Sequence, residues 1–198
     1  MRSLKLAVVT ALTLATAQTV HAQTEFRFLS GGTVTAYGYY VGPYLGAYGP
    51  GFSNEIVLNC VDFFHEITIG QTWTANLTNL GSGDLSTTRF GAEFSNSAAR
   101  YRQAAYLTTQ YAGRTNTQIA QIQATIWRLF DNNPYASPPS PGTDYWLNLA
   151  RNNYQSIDAN RVTVITDVNR QLASSAQEFI HYQVTPEPAT MIMLGSGL

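Results

Sequence analysis

The chain has 198 residues, 44% of them apolar and 12% charged, enough for one domain with a core plus short terminal signals. Its formal net charge of −1 carries neither the basic stripe of a nucleic-acid binder nor an acidic tail. One cysteine excludes an internal disulfide and leaves an inert buried thiol, an intermolecular bridge or a reactive centre.

The chain opens as a signal peptide over residues 1–22. Arg2 and Lys5 form the positive region, Leu6–Ala17 the apolar region and Val20-His21-Ala22 a small-residue cleavage site. Export is therefore expected. Removing Arg2 and Lys5 leaves nine arginines against twelve acids, a net charge near −3, and no lysine at all. A lysine-free chain has no ε-amine to consume an electrophile of its own; compositional drift explains the same gap.

Residues 24–50 are rich in Gly, Tyr and Thr and read as one or two strands with a bend at Gly42-Pro43. Tyr37, Tyr39, Tyr40, Tyr44 and Tyr48 suit half-buried strand positions, with sugar stacking as the alternative. Ile56–Glu66 reads as a strand holding Cys60. Alternation puts Ile56, Leu58, Cys60, Asp62 and Phe64 on one face, and His65 on the other. A further antiparallel strand around Trp73, Ala75 and Leu77 follows a turn at Gly70.

Ser95–Asp131 has few glycines and no proline. It predicts a helix capped by Ser95 or Ser97 and running to Tyr111, then a second from Asn116 to Phe130. Pro134, Pro138, Pro139 and Pro141 make a stiff loop. Thr143 or Asp144 caps a third helix carrying Trp146 and Leu149. Two strands, Arg161–Thr166 and Gln177–Val184, close the domain as an antiparallel pair. The fold expected is α+β: a β-rich antiparallel sheet or sandwich over residues 23–184 with a small helical insertion at about 95–155.

The second helix contains an anomaly. On a wheel of ~100° per residue, Leu129, Ile122, Ile126, Ile119, Phe130 and Trp127 form one apolar arc. Gln123 falls inside it, while Gln118, Gln121, Thr125 and Arg128 lie outside. A buried carboxamide left unsatisfied costs about 1–3 kcal/mol, so a partner must face Gln123. One partner is a strand backbone. The other is the Cys60 sulfur, which by adding to the amide carbon and expelling ammonia makes an internal thioester. Such a bond needs shelter from water, and Trp127 and Phe130 flank Gln123.

The pairing of Cys60-Val61-Asp62 with Ile122-Gln123-Ala124-Thr125-Ile126-Trp127 resembles the cysteine–glutamine thioester domains of bacterial surface adhesins. Those carry an aromatic-Cys-apolar-acid strand and an apolar-Gln-x-x-apolar-Trp helix; here Asn59 stands in the aromatic position. The resemblance implies that Cys60 and Gln123 are the bond-forming pair, with Asp62 and Trp127 in support. It also implies a β-structure with a helical insertion, and a target amine or hydroxyl on a surface polymer or protein. The chemistry implied is a single-use acylation and not enzymatic turnover.

The segment Pro186-Glu187-Pro188, followed by an apolar run within residues 185–198, is similar to the PEP-CTERM sorting signal of exported proteins in Gram-negative bacteria. That resemblance implies an exosortase as a partner, a transient membrane stage and a place at the cell surface or in a biofilm matrix. The apolar run is shorter than the ~20 residues that span a bilayer, and no basic cluster closes it.

Two other classes stay open. A non-covalent structural or matrix protein would have Cys60 and Gln123 merely packed. A cysteine hydrolase would pair Cys60 with His181, without a recognisable oxyanion or glycine-elbow motif. Cys60, His65 and His181 have no metal-ligand spacing, Asp62 and Glu66 form at most a carboxylate pair, and no phosphate loop or dinucleotide fingerprint is present. No metal or cofactor is expected.

Overall fold

The computed structural model describes residues 22–131 and 142–183. The leader expected up to His21, the proline-rich loop expected at 134–141 and the sorting signal expected within 185–198 lie outside the described residues. Six antiparallel strands close into a barrel in the order β1 (Ala22–Ser30), β4 (Tyr44–Tyr48), β5 (Asn54–Cys60), β8 (Phe179–Tyr182), β7 (Val162–Asp167) and β6 (Thr72–Asn79). Between β1 and β4 a hairpin of β2 (Val34–Ala36) and β3 (Tyr39–Val41) stands as a separate two-stranded sheet. The β-rich antiparallel expectation thus takes the form of a closed barrel and not of two facing sheets. Closure leaves the six strands no unpaired edge. Ala22, the last residue of the expected leader, is already in β1, opposite Leu77.

Period-2 alternation sorts the apolar residues into two cores. Phe26 and Phe28 on β1, Leu58 and Cys60 on β5, Trp73 and Ala75 on β6, Ile165 on β7 and Phe179 on β8 form one cluster. Its aromatic rings stack in series: Phe26 on Trp73, Trp73 against Phe179 and Phe179 on Phe28, at centroid separations of 5.5, 5.8 and 6.4 Å. The neighbouring residues Val162, Val164 and Ile180 belong instead to a second cluster, shared with the helices.

Those helices are α1 (Ser97–Thr108), α2 (Asn116–Leu129) and α3 (Thr143–Asn153), all between β6 and β7. All three lie within residues 95–155, the span over which helices are expected. Their starts differ in chemistry. For α1 the capping position is Asn96, with no side-chain cap, and Ser97 Oγ bonds the carbonyls of Gly91 and Phe94. α2 begins with a capping box in which Thr115 and Gln118 satisfy each other's backbone N–H groups. α3 follows Gly142, which lies in the left-handed region.

α2 touches both cores. Ile122, Ile126 and Leu129 pack in the helical cluster, whereas Ala120 and Trp127 pack with the barrel. Thr125, expected on the polar side, is buried. The start of α3 lies over that flank, and Thr125 Oγ1 bonds the Gln121 carbonyl at 2.7 Å, with Thr143 O at 3.5 Å. Gln123 sits at the seam between the two cores, fully buried.

The strand expected over Ile56–Glu66 ends at Cys60. Asp62 Oδ1 accepts from Phe64 N–H at 3.0 Å, a local turn that competes with further sheet pairing. Nor do β5 and β6 form a hairpin: β5 lies between β4 and β8, and β6 between β1 and β7. Of the tyrosines expected to be half-buried, Tyr44 is buried, but Tyr37, Tyr39 and Tyr40 are exposed on the β2–β3 hairpin. Tyr37 and Gly38 at its tip both have positive φ (58° and 84°), as a two-residue type I′ turn demands.

Candidate functional site

Cys60 ends β5 within the barrel cluster and is fully buried. Its backbone pairs with Phe179, and Val61 N–H continues onto Glu178 O at 3.0 Å, so the strand end is fixed by β8. The thiol donates to Asp62 O at 3.1 Å, and Trp127 Nε1–H reaches the sulfur at 3.4 Å.

The Gln123 carboxamide lies against the same residue. Gln123 Nε2 donates to the Cys60 carbonyl at 2.8 Å. Gln123 Oε1 accepts from the Tyr111 hydroxyl at 2.9 Å and from Gly42 N–H at 3.4 Å. Tyr111 sits in the turn between α1 and α2, and Gly42 between β3 and β4. The amide is thus held from three separate parts of the chain, and the helix wheel's demand for a buried partner is met.

Burial is the largest influence on the Cys60 thiol and pushes its pKa up to about 12; the Trp127 N–H opposes this, and the Asp62 charge adds to it. At neutral pH the sulfur is a thiol. Burial also raises the Tyr111 phenol well above its ordinary value, with the Cys60 charge as the second cause, so Tyr111 stays protonated and able to donate.

Trp127 is capped by Phe63 and Tyr39, whose ring centroids lie 5.0 and 6.2 Å from its own, and these two rings also meet edge to face. Outside this cover is a cleft of about 220 Å³, walled by Tyr39, Tyr40, Phe63 and Trp127 with His65, Glu66 and Gln177 also in its lining. Neither Cys60 nor Gln123 lines it. Phe130, expected to share the cover, packs instead on Phe90 and Tyr101, both 4.9 Å away, in the helical core. It is the C-cap of α2, past the last helical turn. Tyr39 and Phe63 take its place.

Asp62 supports the site through its backbone, since its carbonyl accepts from the Cys60 thiol and from Gln177 Nε2. Its buried carboxylate faces away, with Oδ2 2.8 Å from both Arg89 Nε and His65 Nδ1. None of those three atoms has a well-aligned hydrogen bond, so charge proximity holds Oδ2 while Oδ1 accepts from Phe64 N–H. His65 Nε2 meets Arg89 NH1 at 3.0 Å. Arginine offers only donors, so Nε2 accepts and Nδ1 carries the proton toward Asp62. Glu66 is exposed, and the carboxylate pair considered with Asp62 is replaced by the Asp62–Arg89–His65 cluster.

His181 Nδ1 lies 2.9 Å from Val57 O and is not paired with the Cys60 sulfur. Asn59 is buried, its Nδ2 donating to Ile180 O. The fold thus brings the expected residues Cys60, Gln123 and Trp127 into contact, and adds Tyr111, Gly42, Tyr39 and Phe63, which were not expected beside them. The signals in the sequence were the Gly42-Pro43 bend and, for Tyr39, its place in a tyrosine-rich stretch suited to stacking.

No protein-family model matches the chain, and no curated protein matches it. Among solved structures, the chain is similar to the N-terminal thioester domain of a surface protein from Clostridium perfringens. The identity is 14%, the alignment covers 83% of this chain and 100% of that one, and the TM-score is 0.49.

Proposed function

We propose that this chain is an exported, surface-associated binding module that attaches covalently to a nucleophile through an internal Cys60–Gln123 thioester. The observation that carries the reading is the hydrogen bond of the Gln123 amide nitrogen to the Cys60 carbonyl, with both side chains fully buried and the Trp127 N–H on the sulfur.

In the reaction, Cys60 Sγ adds to Gln123 Cδ. As the tetrahedral centre collapses, the carbon–nitrogen bond breaks and the thiol proton leaves with the amide nitrogen as ammonia. A target amine or hydroxyl then takes the acyl group, and its proton returns to the sulfur. Each molecule reacts once, which is acylation without turnover. Exclusion of water by Trp127, Phe63 and Tyr39 would give the bond its lifetime. The leader and the Pro186-Glu187-Pro188 segment support export and sorting by an exosortase.

A second reading has its own observation. Three hydrogen bonds satisfy the Gln123 carboxamide as it stands, which is what a purely structural glutamine in a non-covalent matrix protein requires. Methylamine separates the two. The first reading predicts one methylamine incorporated at residue 123 with release of a free Cys60 thiol, and none in Cys60→Ala. An unlabelled wild-type chain would leave the structural reading standing.

A further inference from the structure

We propose that Tyr111 and the Gly42 backbone N–H form the oxyanion site of this reaction, and that Tyr111 is a catalytic residue. The inference rests on the thioester reading. In the folded chain two donors from different loops converge on one oxygen, Gln123 Oε1, which becomes negatively charged when a nucleophile adds to Cδ.

Three features separate this arrangement from simple satisfaction of a buried amide. The Gly42 contact is long, at 3.4 Å, so it adds little to the neutral amide. It gains most as charge develops on the oxygen, and that differential accelerates a step. Gly42 holds φ at +100°, and a Cβ there would come within 2.9 Å of Ile119 Cγ2. The backbone therefore adopts a conformation suited to glycine at the residue whose N–H points to Gln123. The neighbouring buried tyrosines are committed elsewhere: Tyr44 donates to Tyr40 O at 2.7 Å, and Tyr101 donates to Glu178. The Tyr111 hydroxyl is directed to the amide.

The same site serves both half-reactions. On bond formation the oxyanion forms as sulfur adds and is relieved as ammonia departs. On transfer it forms as the target amine or hydroxyl adds and is relieved as the carbon–sulfur bond breaks. No co-reactant beyond the target nucleophile is needed.

The test follows mass against time in freshly synthesised chains, with methylamine as the probe nucleophile. Tyr111→Phe is expected to form the ammonia-loss product, and to react with methylamine, slower by on the order of a hundredfold. The thioester carbonyl band in infrared difference spectra against Cys60→Ala should move to higher frequency, which a packing role alone would not cause. Site-specific difluorotyrosine at position 111 keeps the side-chain shape and strengthens the donor. It should speed both steps and lower the band, and it covers the case in which Tyr111→Phe fails to fold. Unchanged rates and an unshifted band in a folded variant would overturn the oxyanion site while leaving the thioester intact. Absence of ammonia loss in the wild type would overturn both.

Discussion

At the scale of the residue, the site is a conflict between burial and reactivity. Cys60 needs to lose a proton to act as a nucleophile, yet burial holds it as a thiol, and the Trp127 N–H is the strongest of the influences that favour the thiolate. In Gln123→Ala, where no acyl partner exists, the folded thiol should be alkylated by iodoacetamide at neutral pH at least about a hundredfold more slowly than a free cysteine. Labelling at the free-thiol rate would contradict the burial argument. The same variant should lose stability as pH rises from 9 towards 12, because the unfolded thiol ionises there while the folded one stays neutral. Trp127→Phe keeps most of the cover but deletes the donor to sulfur, and should slow thioester formation, read as the fraction of chains retaining ammonia. Gln123 and Cys60 were legible because each breaks a pattern: an amide in an apolar arc, and a lone cysteine in a chain expected to be exported. Tyr111 and Gly42 break none. A tyrosine after a helix and a glycine before a proline are ordinary punctuation until the fold brings them to one oxygen.

At the scale of the element, Arg89 ties three segments together. Its guanidinium approaches Asp62 beyond β5, and donates to Arg170 O, Ser175 Oγ and Ala176 O between β7 and β8. Its backbone N–H donates to Glu178 Oε2 at 2.6 Å. Arg89→Ala leaves the Asp62 carboxylate buried without its cation and should cost about 3–5 kcal/mol in denaturant unfolding. A loss near zero would contradict a stabilising role for the Arg89 side chain. Glu178 adds a pH dependence of its own. Burial pushes its pKa up from 4.5 to about 7, against donors from Arg89 N–H, Thr166 and Tyr101. The folded state therefore binds this proton more tightly than the unfolded state between those values, so stability should fall as pH rises through that window. The contribution is up to about 3 kcal/mol, and Glu178→Gln should flatten it. The helices were readable from their periodicity but not from their caps, since Asn96 and Gly142 hold the capping positions expected of Ser95 or Ser97 and of Thr143 or Asp144; the end of β5 was not readable either. Apolar residues continue through Phe63 and Phe64, and only the Asp62 turn reveals that the chain has left the barrel.

At the scale of the whole molecule, the barrel and the helical layer each supply half of the site. β5 carries the sulfur, α2 the carboxamide, the α1–α2 turn the phenol, and the β2–β3 hairpin part of the aromatic cover. Local alternation could identify strands but not their order, because barrel closure pairs β1 with β6 and β5 with β8 across long stretches of sequence. The contact between Cys60 and Gln123 is of the same long-range kind, spanning 63 residues. The most direct test is the intact mass of the purified chain, measured without reductant or amine buffers. The account predicts a wild-type chain lighter than its sequence by one ammonia (about 17 Da), with the full mass restored in Cys60→Ala and in Gln123→Ala. A wild-type chain at its full sequence mass would contradict it.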